Sequence, residues 1–139
     1  MADGPALALQ KALIVVLRAN AGLSTLVSER VYDEPPQQVT FSYVRIGNVD
    51  LAPERLSCVD DHNITFSIEA HSRPTAGRVE ATRIADAIRA ALNDHEATIT
   101  AAMTGYRAEW CTYTTQTVSR SGDGQSYVAI VAFEAALAD

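Results

Sequence analysis

The sequence predicts an α+β fold: a mostly antiparallel sheet of about four strands with two main helices packed on one face. Three observations lead there. Residues 63–71 alternate strictly, with Ile64, Phe66, Ile68 and Ala70 on one side and Thr65, Ser67, Glu69 and His71 on the other, as in a strand with one packed and one wet face. Residues 75–93 instead repeat Ile84, Ile88 and Leu92 at four-residue spacing, with Ala81, Ala85 and Ala91 alongside and Glu80, Arg83, Asp86 and Arg89 opposite, which is an amphipathic helix. Finally, two β-rich runs, 106–118 and 127–137, flank the turn cluster 119–126 and read as a hairpin. Strands grouped together, with helices set apart from them, argue for α+β rather than an alternating fold.

The elements follow in order. Asp3 is placed to cap a helix whose first turn holds Pro5, a position that tolerates proline. Leu9, Leu13, Val16 and Leu17 share one face of it, and Asn20-Ala21-Gly22 offers a left-handed cap at its end. Residues 23–27 suit one further helical turn, and 30–33 a short edge strand. Glu34-Pro35-Pro36 cannot continue a helix and forms a stiff, extended connection. A first long strand is expected over 42–49, then a polar segment over 50–61 that contains Pro53 and reads as a loop or a hairpin tip. Thr75 is the expected N-cap of the second main helix, and Asn93-Asp94-His95 closes it. No repeats or linkers divide the chain, so residues 1–139 are read as one domain.

Composition narrows the function classes. Hydrophobic residues make up 47%, charged residues 20%, and mean hydropathy is near zero, which describes a folded globular chain rather than a disordered one. The net charge of −6 opposes a role in gripping nucleic acid, which relies on Lys and Arg to displace phosphate counterions. Cys58 and Cys111 do not make a disulfide framework, so two reduced thiols are expected. The apolar run from Ala6 to Leu17 is interrupted by Gln10 and Lys11, and no signal peptide, membrane span or lipidation signal is read in the sequence.

No catalytic constellation emerges. Asp60-Asp61-His62 is the one compact set of metal-type ligands, but neighbours on an extended chain point to opposite faces, and a surface loop explains them better. His71 and His95 read as element-end histidines bonded to backbone or water. Gly122-Asp123-Gly124 lacks the Gly-Lys-Ser/Thr ending of a phosphate loop and reads as a hairpin turn. Trp110, Tyr113 and Tyr127 lack the basic interleaving of a base-stacking platform, so packing is preferred for them. The last strand is apolar on both faces, with Val128, Ile130 and Ala132 opposing Tyr127, Val131 and Phe133. Either helices cover both sides or one side meets another subunit.

The order of these segments resembles one family. The opening helix and Leu23-Ser24-Thr25-Leu26-Val27 are followed by Arg30-Val31-Tyr32-Asp33 before Pro35-Pro36. Then come Phe41-Ser42-Tyr43-Val44, the strand over 62–73, and Ala76-Gly77-Arg78 leading into Ile84-Ala85-Asp86-Ala87-Ile88. The series is similar to the small tail-terminator or tail-completion proteins of long-tailed phages and gene transfer agents across nearly its whole length. The resemblance implies a non-enzymatic assembly protein without cofactor or metal: a homo-hexameric ring that caps the tail tube and joins it to a head-side connector. It implies the neck of a particle as its place, after assembly in the bacterial cytoplasm, with DNA passing through the lumen without tight binding and no membrane involved. A head-side neck or stopper protein is the near alternative; a small α+β enzyme or ligand-binding domain is the distant one. The polar excursions supply the candidate partner contacts: Asp50, Glu54, Arg55, Asp60 and Asp61 in the first, Arg120 and Asp123 in the second.

Overall fold

A computed structural model describes residues 3–53, 61–73, 75, 77–122 and 124–138. Helix α1 (Pro5–Ala19) buries Leu9, Leu13, Val16 and Leu17, and α2 (Ala21–Val27) leaves it at a bend of 79° and buries Leu23 and Val27. The edge strand β1 (Val31–Tyr32) runs parallel to the start of β2 (Tyr43–Pro53). The strand β3 (Asp61–Ser72) returns antiparallel to β2, α3 (Gly77–Leu92) crosses the sheet, and α4 (Glu96–Ala102) follows. The hairpin β4 (Arg107–Arg120) and β5 (Tyr127–Ala138) completes a sheet of order β1-β2-β3-β5-β4.

The helices pack on one face. Val44, Ile46, Ile64, Ile68, Cys111, Val131, Ala135 and Leu137 all point to that side and join Leu13, Leu17, Ile84, Ile88 and Ile99 in one cluster. Phe66 and Phe133, paired across β3 and β5, stack at 5.1 Å near its centre. Burying side chains of this size contributes about 1.5–3 kcal/mol each before entropy is counted. Among the described residues, no single helix is long and apolar enough to cross a membrane.

Several local expectations are corrected. Asp3 does not cap α1; Gly4 holds that position, and the Asp3 carboxylate pairs with Lys11 at 2.7 Å. Asn20 is extended (φ −76°, ψ 119°) rather than left-handed, because it closes α1 and caps α2 at once, its Oδ1 accepting from the Leu23 N–H at 2.9 Å. The polar segment 50–61 is shorter as a loop than it reads: Asp50, Leu51, Ala52 and Pro53 pair with Thr65, Ile64, Asn63 and His62. Pro53 is compatible with this because, among the described residues, no strand pairs with β2 there on its other side. The edge strand expected at 30–33 forms as β1 and brings the sheet to five strands rather than about four, and α4 forms where no element was assigned.

Candidate assembly surface

Chemistry is poorly provided for. Among the described residues, no three His, Cys, Asp or Glu side chains converge on a metal-sized site. Asp60 lies outside the described residues, and the His62 ring meets Tyr106 edge-on at 5.9 Å. His95 Nδ1 lies 2.7 Å from the Asn93 carbonyl, an element-end bond as expected. His71 differs: its ring stacks on Tyr43 at 4.8 Å, and its Nε2 lies 3.0 Å from Glu69 Oε1. Cys111 is buried and unbridged, and burial pushes its thiol up to about 12, with Glu96 and Asp94 adding to the effect, so it is a poor nucleophile. Cys58 lies outside the described residues.

A groove of about 470 Å³ opens between α1, α3 and α4, lined by Val15, Ala19, Ala91, Thr98 and Ala102. Of its polar members, Asn20 Oδ1 is engaged by the Leu23 N–H and His95 Nδ1 by the Asn93 carbonyl, which leaves Thr98 as the remaining polar side chain of the lining. A mostly apolar groove with one histidine, one threonine and no carboxylate or thiol among the described residues of its lining lacks the converging set of polar groups that an active site requires.

Among the described residues, the sheet face away from the helices is left open. Residue parity assigns to it Tyr43, Arg45 and Asp50 of β2, then Thr65, Ser67, Glu69 and His71 of β3. From β5 and β4 come Val128, Ile130, Ala132 and Glu134, then Trp110, Thr115 and Thr117. Val128, Ile130 and Ala132 are half-buried, and no described element packs over them, so helices on both sides do not account for the doubly apolar strand. The three aromatic residues do not form a platform: Trp110 sits on this open face, whereas Tyr113 and Tyr127 are on the helix side. There Arg89 stacks over Tyr113 at 5.2 Å, and Arg78 and Arg120 approach Tyr127 at 5.5 and 5.8 Å.

The candidate contacts separate accordingly. Asp50 is an exposed strand residue of β2, Asp61 opens β3, and Arg120 ends β4. Glu54, Arg55, Asp60 and Asp123 lie outside the described residues. The sequence did not signal Gly47, where β3 approaches so closely that an added Cβ would strike Ser67 Oγ and lie 2.9 Å from Glu69 Oε2.

A family profile described as Tail completion protein gp17 matches residues 11–138. The chain belongs to that family. The tail-completion proteins are structural components of phage tails, not enzymes, which agrees with the resemblance read in the sequence. No curated protein matches the chain in sequence. Among solved structures, a chain of the virion of a native gene transfer agent particle is similar, with a TM-score of 0.85 and 25% identity, covering 99% of this chain and 100% of that one.

Proposed function

We propose that this tail-completion protein forms a ring, a hexamer by the family resemblance, that caps the tail tube of a phage-like particle, stops its polymerisation and joins it to the head-side connector. The observation that carries the reading is the likeness, over 99% of this chain and 100% of that one, to a chain of a native gene transfer agent virion. The uncovered, partly apolar sheet face supports it, because a surface of that kind suits a partner more than water. Capping then works by surface complementarity: one ring face matches the last ring of the tube, the other does not, and growth stops. The polar segment between Pro53 and Asp61 and the β4–β5 turn are assigned to the ring faces, where they meet the partners, because polar excursions from a rigid scaffold carry recognition.

Incubating purified protein with tail-tube protein from the same particle tests this by negative-stain microscopy. Ring-shaped density at one tip of each tube, with tube growth arrested, is the expected result. Tubes that lengthen unchanged, with bare tips, contradict it.

A further inference from the structure

Each edge of the sheet is covered over only part of its length. On one side β1 meets β2 at Val44 and Arg45 and goes no further, so among the described residues the outer edge of β2 has no backbone partner over residues 49–53. Pro53, which has no N–H to offer, is the kind of residue an edge accepts. On the other side the first half of β4 is capped by side chains from the helix layer. The N–H groups of Ala108, Cys111 and Tyr113 donate to Thr100 Oγ1 (2.9 Å), Glu96 Oε1 (3.4 Å) and Asn93 Oδ1 (3.0 Å), and the Cys111 carbonyl accepts from the Asp94 N–H (2.9 Å). Over residues 115–120, the described residues provide no backbone partner except β5.

The two open stretches match. Both are regular, since the bulges of β2 and β4 end just before them. Each carries a single charged residue, Asp50 on the open face of one and Arg120 on the helix side of the other, so no like charges oppose each other across the pairing. Each holds a half-buried valine at the margin of the core, Val49 and Val118. Every long-strand pair in the sheet is antiparallel, so β2 and β4 run in opposite directions, and a neighbour in the same orientation presents its β4 antiparallel to β2. A regular, unpaired edge with a single charge is a template for another strand.

We infer that residues 49–53 of one subunit pair antiparallel with residues 115–120 of the next, so that the sheet continues from copy to copy. The faces fix the register by parity. Val49 and Leu51 lie on the helix side, as do Gln116 and Val118. Pairing Val49 with Val118 then sets Asp50 beside Thr117, Leu51 beside Gln116 and Ala52 beside Thr115. The contact joins two different surfaces, so it is heterologous and propagates head to tail. A β4-to-β4 dimer would leave both β2 edges bare. The pairing stands on the edges alone; its closure into a ring rests on the function proposed above.

Mass photometry of the full-length protein across a dilution series tests it with Thr117→Asp, which sets a second carboxylate beside Asp50. Both positions are exposed, so circular-dichroism melts should stay at the parental temperature. The expected result is weaker association, by about two- to fivefold per contact, the size of a cross-strand charge effect. Adding Asp50→Lys should restore it. Oxidising Asp50→Cys/Thr117→Cys in a Cys58→Ser background should link neighbours into a ladder of covalent multimers. A parent that stays monomeric overturns the pairing, as does assembly that Thr117→Asp leaves unchanged with no covalent ladder. If such an assembly still caps tubes, the pairing alone falls and the ring reading stands; if the protein neither assembles nor caps, both fall.

Discussion

Ser67 and Glu69 leave no room for a side chain at position 47, and Ser67 Oγ is already engaged by the Asn48 N–H at 3.0 Å. Gly47→Ala should therefore displace the serine and break that bond, costing about 1–2 kcal/mol in urea denaturation; unchanged stability would show that β2 and β3 can part there without loss. Cys111 gives a pH signature. Its thiol ionises near 9 when unfolded and near 12 when folded. Between those values the unfolded chain releases a proton that the native chain keeps, so stability present below pH 9 is lost as pH rises toward 12. Tyr43, also raised mainly by burial, acts in the same direction. The urea midpoint should fall above pH 9, and less steeply in Cys111→Ala; an equal slope in both would place the effect elsewhere.

At the scale of elements, burial follows the sequence wherever a period is long enough to read. The four-residue spacing of Ile84, Ile88 and Leu92 locates the buried face of α3, and all three are fully buried. Ile88→Ala should cost about 2–5 kcal/mol, measured by thermal or chemical unfolding; a loss below 1 kcal/mol would contradict its central place. The alternation in β3 is equally legible, since Ile64, Phe66, Ile68 and Ala70 are all buried. The misses share a cause. Helix α4 has one buried apolar residue, Ile99, and two threonines, too little for a helical period to emerge; it forms because tertiary contacts with α1 and β4 supply what propensity does not. The extension of β2 through Asp50 and Pro53 is hidden because a polar residue and a proline read as a loop, whereas an edge strand accepts both. The tie between α1 and β1 is also invisible in sequence: Arg18 donates through Nε and Nη2 to the Val31 carbonyl, at 3.1 and 2.6 Å. Arg18→Ala should raise amide exchange at the β1–β2 pairing before it affects β3 or β5; uniform exchange would contradict that local role.

For the whole molecule, the sequence made the family legible through the order of its segments, but not its surfaces, because edges and uncovered faces exist only once strands have neighbours. The acidic balance carries one consequence. The chain bears −6, so the ring proposed above would offer duplex DNA little attraction, which would suit a conduit through which a genome slides. Fluorescence anisotropy at about 0.15 M salt should show no sub-micromolar binding; tight, salt-sensitive binding would move the reading toward nucleic-acid recognition. Shortening the segment between Pro53 and Asp61, or the β4–β5 turn, should leave a folded protein that no longer joins tails to heads. The most direct test of the central claim is the distribution of tail lengths in particles assembled with and without this protein. The account predicts overlong, headless tails in its absence and uniform, head-joined tails when it is restored. Tails of normal length joined to heads without it would contradict the account.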